Sequence, residues 1–285
     1  MAENYKAELV GVLGYPVAEN PTGVMQEAAF AAAGLEWRYL TIEVRPEKLA
    51  DAMRGVRGFG LRGVNLTIPH KVAVLDYLDD ISPEAKVIGA VNTVRLERNC
   101  LIGENTDGKG FLRGVRVDAG MDPKDKRVVL LGAGGAARAI ATELILAGAR
   151  ELIVVNRNAG RAEQMVSHLH SHTGGDIRYQ PWEGTYQVPN DVDLLVNATS
   201  IGLYPNVDAT PDVDLSAAKS DMLVCDAVFN PPQTRLLAAA AKRGLPVLDG
   251  LSMLVYQGVI GFRMWTGRDP NEAAMKNALR QALGV

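Results

Sequence analysis

Short apolar runs alternate with stretches whose apolar positions recur every three to four residues, and this alternation predicts strands interleaved with helices. Residues 9–13 read as a strand and residues 23–33 as an Ala-rich helix closed by Gly34. Residues 39–44 are β-branched and aromatic enough for a strand, and Pro46 then stands where a first helical turn tolerates it. Residues 64–67 give a strand stopped by Ile68-Pro69, followed by a helix through Leu78, a strand pair at 91–96 and 100–103, and a helix after Asp107. A second unit opens at Arg127, where V-V-L-L is a continuous apolar strand running into Gly132-Ala133-Gly134-Gly135-Ala136-Ala137 and the helical run 138–147. Further strands are expected at 151–155, 194–198, 222–227 and 246–248, an irregular loop at 202–214, and helices over 250–283 that pack back on the first domain. Strands buried on both faces and separated by helices imply a parallel sheet. The expected fold class is α/β with two domains, an N-terminal α/β substrate domain with a mostly parallel sheet and a Rossmann-type dinucleotide-binding domain. The substrate domain is expected at 1–112 and 240–285, the nucleotide domain at 113–239.

The 285 residues suit two domains at roughly 150 residues each. Hydrophobic residues at 47% and charged residues at 22% exclude a disordered or fibrous chain. Thirty Lys and Arg against 33 Asp and Glu leave a net charge of -3 with no basic run, so neither nucleic acid nor an anionic membrane is an expected partner. No apolar run reaches the roughly 18 residues of a membrane span, and M-A-E-N-Y-K-A-E lacks the basic and apolar regions of an export signal. Cys100 and Cys225, 125 positions apart, have neither disulfide-framework nor metal spacing. A cytoplasmic monomer or homodimer acting on a small molecule is the expectation. His168, His170 and His172 lack acidic or thiol company and read as the cationic end of a helix before Gly174-Gly175; no metal site is expected.

The glycine cluster has the form G-x-G-x-x-A, whose small residues permit a tight turn, a close approach of backbone to pyrophosphate, and close packing of helix on strand. A tight connection without a ligand has the same local pattern; the strand, turn and helix context favours a dinucleotide on Gly132, Gly134, Gly135 and Ala136. NAD enzymes usually carry an acidic residue at the end of the next strand for the ribose 2′-hydroxyl. Here that place, 24 residues past Gly132, holds Asn156 and Arg157, with Arg161 a turn later. A guanidinium suits a 2′-phosphate, which makes NADP the expected cofactor, although an exposed Arg157 is also an ordinary surface charge. In the first domain, N-L-T-I-P-H-K, G-A-V-N-T and E-N-T-D-G place amide, hydroxyl, ammonium and carboxylate groups after strands. Lys71 and Asp107 form an acid–base pair if these loops converge, and two solvated charges if they do not.

V-N-L-T-I-P-H-K, G-A-V-N-T-V, E-N-T-D-G, G-A-G-G-A-A, N-A-T-S-I-G and L-V-Y-Q-G, in this order, resemble the shikimate dehydrogenase family, including its quinate-using relatives, over almost the whole chain. The resemblance implies a bilobal enzyme that reversibly reduces 3-dehydroshikimate to shikimate with NADPH, using Lys71 and Asp107 as the catalytic pair. It implies that Thr67, Asn92 and Gln257 hold substrate hydroxyls and that Thr199 and Ser200 lie near the cofactor. Two departures fall where the family binds the substrate carboxylate. Its Ser-x-Ser pair is here Asn20-Pro21-Thr22, whose amide and hydroxyl can still donate to a carboxylate, and its Tyr after Asp226 is Phe229, which has no donor. Asn20, Thr22 and Phe229 are therefore expected at the substrate, with quinate or another cyclic polyol as an alternative to shikimate. A binding protein that senses NADP without turnover is the alternative from another class.

Overall fold

The computed structural model describes residues 5–285, so the first four residues of the N-terminal stretch read above lie outside the described residues. The chain divides into two compact units, Met1–Thr106 with Gln257–Val285, and Asp107–Tyr256. Residues 107–112 and 240–256, assigned above to the substrate domain, cluster with the second unit.

The first unit contains β1 (Glu8–Gly14), α1 (Thr22–Ala32), β2 (Trp37–Glu43), α2 (Leu49–Gly58), β3 (Gly63–Leu66), α3 (His70–Ala73), β4 (Asp80–Ile81), α4 (Pro83–Ile88), β5 (Thr93–Glu97) and β6 (Cys100–Glu104). Its sheet runs β2-β1-β3-β5-β6-β4. β1 is parallel to β2 and β3, and β4 to β6, whereas β5 runs antiparallel to β3 and β6. Alternation along the strands sorts the faces. Leu13, Val64 and Leu66 join Leu49, Met53 and Val56 of α2 in one core. Asn65 points the other way, toward Tyr39. The helix expected through Leu78 is only α3 followed by a 3₁₀ turn at Val74–Tyr77. Val72 and Val74 are β-branched, which lowers helix propensity at this point, while Val74 itself is buried in the core.

The second unit contains α5 (Thr106–Val117), which begins at the division, then β7 (Arg127–Leu131), α6 (Gly135–Leu146), β8 (Glu151–Asn156), α7 (Ala159–Thr173), β9 (Ile177–Pro181), β10 (Tyr186–Gln187), β11 (Leu194–Asn197), β12 (Val213–Asp214), β13 (Leu223–Asp226), α8 (Arg235–Lys242) and β14 (Val247–Leu248). Six strands form an all-parallel sheet in the order β14-β13-β11-β7-β8-β9. That is the order of a doubly wound dinucleotide-binding sheet, and it reverses between β7 and β11, the usual place for a ligand crevice. The unbroken apolar runs 128–131, 152–155 and 194–196 are buried, as a sheet covered on both faces requires. The loop 202–214 is largely turns, its end pairing as β12 with β10.

The division between the units falls within α9 (Gly250–Thr266). From Gln257 onward this helix and α10 (Glu272–Leu283) belong to the first unit. Phe262 stacks on Phe30 of α1 with ring centroids 5.4 Å apart, and Trp265 donates its indole N–H to the Val94 carbonyl at 3.0 Å. Met275 and Leu279 of α10 are fully buried.

Candidate active site

In the first unit the loops that follow β1 and β3 are laced together by their backbones. Thr67 N–H donates to the Leu13 carbonyl at 3.0 Å and Tyr15 N–H to the Ile68 carbonyl at 3.0 Å. Thr67 lies against Gly14, where an added Cβ would come within 2.3 Å of the Thr67 methyl. The turn into α1 is held by Asn20, whose Oδ1 accepts the Thr22 N–H at 3.0 Å, and Thr22 is buried. His70 is buried and its Nε2 lies 2.7 Å from the Val44 carbonyl, which commits it to packing beside Lys71.

Under these loops runs a buried polar chain. Tyr39 donates its hydroxyl to Asn65 Oδ1 at 2.7 Å, and Asn65 Nδ2 donates to Thr93 Oγ1 at 2.9 Å. Thr93 and Thr106 hydroxyls are 3.1 Å apart, Asn92 Nδ2 donates to Thr106 Oγ1 at 3.0 Å, and Asn92 Oδ1 accepts the Thr106 N–H at 2.7 Å. Thr106 Oγ1 also reaches Gln257 Oε1 at 3.5 Å. Desolvation pushes the Tyr39 phenol well above its ordinary range, so it stays neutral and serves as a donor. Every member of this chain is uncharged, and a satisfied buried network of this kind rigidifies what stands on it. The backbone of Lys71 is tied to it, because the Lys71 carbonyl accepts the N–H of Val91, the residue before Asn92, at 2.8 Å. Asp107 is the residue after Thr106, in the first turn of α5.

Lys71, Thr67, Asn92, Asn20, Thr22 and Gln257 are thus on the first unit, whereas Asp107 and Phe229 are on the second. Tyr39, Asn65, Thr93 and Thr106 were not singled out from the sequence. Asn65, Thr93 and Thr106 stand inside the motifs N-L-T-I-P-H-K, G-A-V-N-T and E-N-T-D-G, which are a usable signal, but Tyr39 has none.

In the second unit the glycine turn joins β7 to α6. Gly132 has φ +107°, a conformation L side chains rarely adopt, and its Cα faces the Ala198 carbonyl and the Thr199 methyl, each 3.1 Å from where a Cβ would stand. Gly134 and Gly135 are exposed, and open space lies where their Cβ atoms would be. Gly134 caps α6 without a side-chain bond, and no acidic residue occupies the first turn, so free N–H donors and the positive helix end face outward. Ala136 follows on the helix, partly buried. At the end of β8, Asn156 donates its amide to the Asn158 carbonyl at 2.8 Å, and Asn158 Oδ1 accepts the Arg161 N–H at 2.9 Å. Arg157 and Arg161 are exposed and pair with no carboxylate among the described residues.

Beyond β11 and β13 a second buried cluster forms that sequence reasoning left out. Asp226 accepts bonds from Asn197 Nδ2 at 2.9 Å, Val228 N–H at 3.0 Å and Thr234 Oγ1 at 2.8 Å. Asn197 Oδ1 in turn accepts the Thr199 hydroxyl at 2.7 Å, and Thr199 Oγ1 accepts the Ile201 N–H at 3.1 Å. Thr199 is therefore locked by its neighbours, while Ser200 beside it is exposed. Burial raises Asp226 to about 6 against the three bonds that favour its anion. Burial and the adjacent Asp226 also push the Cys225 thiol up, which makes this cysteine a packed, inert side chain; Cys100 is exposed.

The histidines of α7 do what a helix end does. His172 Nδ1 lies 2.7 Å from the His168 carbonyl, His170 Nδ1 lies 2.9 Å from the Gly175 carbonyl, and Gly174 closes the helix in the left-handed region. No group of three or more His, Cys, Asp or Glu that could hold a metal occurs among the described residues, and no helix among them is long and apolar enough to cross a membrane.

Three family models match the chain: residues 12–94 the shikimate dehydrogenase substrate binding domain, residues 117–219 shikimate / quinate 5-dehydrogenase, and residues 250–280 the shikimate 5'-dehydrogenase C-terminal domain. A shikimate dehydrogenase (NADP(+)) of Methanopyrus kandleri is 42% identical over 280 residues, covering 98% of this chain and 97% of the relative. The ligand-free 5-ketofructose reductase of Gluconobacter sp. strain CHM43 is 46% identical with a TM-score of 0.93, covering 98% of this chain and 99% of that one. A shikimate dehydrogenase solved in complex with NADP+ is 38% identical with a TM-score of 0.92, covering 98% and 97%. With matches of this identity running nearly end to end, and with the sheet order, glycine turn and amide–hydroxyl network described above, the chain belongs to the shikimate dehydrogenase family of oxidoreductases.

Proposed function

We propose that this family member is an NADP-dependent dehydrogenase that reversibly reduces a ketone on a small polyhydroxylated molecule, the family reaction being that of 3-dehydroshikimate and shikimate. The observation that carries the reading is the Asn92–Thr106 node. The Lys71 backbone is tied to it through Val91, and Asp107 follows it by one peptide bond, so the backbones that carry both proton-handling side chains adjoin one buried network.

The residues of the second unit suit the cofactor. The outward N–H groups of α6 and the space beside Gly134 and Gly135 suit a pyrophosphate, and the unpaired guanidiniums of Arg157 and Arg161 suit a 2′-phosphate beside Asn156. Thr199 and Ser200, after β11, lie at the sheet's switch point with Gly132 and border the same ligand. Bound NADPH supplies the hydride that reduces the carbonyl carbon. The Lys71 ammonium donates a proton to the carbonyl oxygen as it becomes an alcohol, and takes one back in the oxidising direction. Asp107 orients that ammonium and accepts a bond from a neighbouring substrate hydroxyl. Thr67, Asn92 and Gln257 hold further hydroxyls, and Asn20, Thr22 and Phe229 border the remaining substituents. The free cysteines agree with a reducing, cytoplasmic setting.

Absorbance of the nicotinamide during incubation with NADPH or NADH and a panel of 3-dehydroshikimate, 3-dehydroquinate and keto sugars tests the proposal. Oxidation of NADPH with at least one of these ketones, in preference to NADH, is expected. Tight NADP+ binding with no turnover across the panel would instead identify an NADP-sensing protein. A second reading places quinate or another cyclic polyol in the site. Asn20, Thr22 and Phe229 mark an altered substrate pocket, and the 46% identity to a reductase of 5-ketofructose, a sugar with no carboxylate, favours an uncharged polyol, since quinate carries a carboxylate as shikimate does.

A further inference from the structure

Gln26 of α1 is fully buried and stands outside the polar chain described above. Its Nε2 donates to the carbonyl of Gly258 in α9 at 2.9 Å, and its Oε1 has no hydrogen-bond partner among the described residues. Gly258 lies inside α9, so its carbonyl already faces the Phe262 N–H of the helix ladder. The side chain thus brings a second donor to an acceptor that does not need one, and buries an acceptor of its own that does. A buried polar atom left without a partner lowers stability, and a thioether of the same length would fill the place without that loss. Packing alone gives no reason for a glutamine here, whereas its position beside the substrate loops does.

Four residues before it on α1, on the same buried face, stands Thr22, at the turn expected to border the substrate. One residue before Gly258 stands Gln257, whose Oε1 is 3.5 Å from Thr106 Oγ1 of the polar chain. The two helices meet closely at this point, since a Cβ on Gly258 would run into Met25 Cε and stand 3.3 Å from Gln26 Nε2. One turn further along both helices Phe30 stacks on Phe262. Stacked rings set the spacing of the helices but resist sliding only weakly, because apolar contact is not directional; a hydrogen bond to one carbonyl fixes the register. We propose that Gln26 is a positioning residue that fixes the register of α9 against α1, so that Gln257 and Thr22 keep one separation at the substrate. The inference rests on the first-unit loops being the substrate site of an NADP-dependent reductase.

The test is Gln26→Met, which keeps the length of the side chain and removes both polar atoms. Urea unfolding is measured on both proteins, together with steady-state kinetics using whichever of 3-dehydroshikimate, 3-dehydroquinate and 5-ketofructose the unaltered protein reduces fastest. The variant should unfold at the same urea concentration as the unaltered protein or a higher one. Its KM for the ketone should rise about threefold to tenfold, the worth of one neutral hydrogen bond, while kcat and the NADPH KM change by less than about twofold. A residue with a merely structural role would not weaken substrate binding in a fold that is no less stable. A lower urea midpoint, or a variant that fails to fold, would make Gln26 such a residue and overturn the proposal. An unchanged ketone KM in a folded variant would overturn it too, and leave the reductase reading intact. No oxidation of NADPH by any of these ketones in the unaltered protein would remove that reading and this inference with it.

Discussion

Asp226 offers a quantitative test of the second unit's construction. Its carboxyl is 1% exposed and is raised by burial from 3.8 to about 6, although Asn197, Val228 N–H and Thr234 all donate to it. In the unfolded chain the group titrates near 3.8, so between the two values the folded protein holds a proton that the unfolded chain has released. Stability must then fall as pH rises through that window, by about 1.4 kcal/mol per pH unit. The contribution is full below the unfolded pKa and gone above the folded one. From about pH 4.5 to pH 8 the loss amounts to about 2 kcal/mol. Asp226→Asn removes the titration while keeping acceptor capacity, since the Thr234 hydroxyl can turn to receive the new N–H. Urea unfolding of both proteins across that range isolates the effect, because the groups held low, such as Asp193 and Glu8, are common to both. The variant should gain about 2 kcal/mol on the parent between the acid and alkaline ends. Parallel stability curves would refute the reasoning, as they would mean that Asp226 is charged or solvated in the fold. Asp226→Ala, which strands three donors, should unfold at lower urea at every pH.

Replacing Arg157 and Arg161 together by Ala should raise the NADPH KM by about one to two decades, the worth of a charge-assisted bond, and leave the NADH KM unchanged. Equal effects on both cofactors, measured by steady-state kinetics, would count against a 2′-phosphate contact. Gly108→Ala should lower the urea midpoint markedly, because its Cβ would stand 2.3 Å from the Ala139 carbonyl oxygen and 2.7 Å from Glu143 Cγ, forcing α5 off α6. A midpoint equal to the parent's would mean that the two helices are less closely packed than described.

The second unit was readable because its strands are buried on both faces: V-V-L-L and L-I-V-V form unbroken apolar runs, and each leads straight to a loop with distinctive chemistry. The glycine turn and Arg157 lie in those loops, so local sequence sufficed to find them. The short strands at Asp80–Ile81, Tyr186–Gln187 and Val213–Asp214 were not readable, because two residues carry no periodicity and their pairing is decided by tertiary contacts. The polar network was half legible. Asn92 and Gln257 stand in recognisable motifs, whereas Tyr39 sits on a strand whose alternation marks it only as an inward-facing aromatic. Its partner Asn65 is 26 residues away, a pairing that depends on β1 lying between β2 and β3. Asp226 was visible as a residue but not as a clamp, since its three donors come from β11, the loop after β13 and the cap of α8.

In the reaction proposed above, the Lys71 ammonium moves a proton at the substrate oxygen while the second unit holds NADP independently of it. Lys71→Ala, assayed by nicotinamide absorbance with the best ketone and by NADP+ titration, addresses both halves at once. A fall in kcat of roughly 10² to 10⁴ with NADP+ affinity unchanged is expected. Near-normal turnover in the folded variant would contradict it.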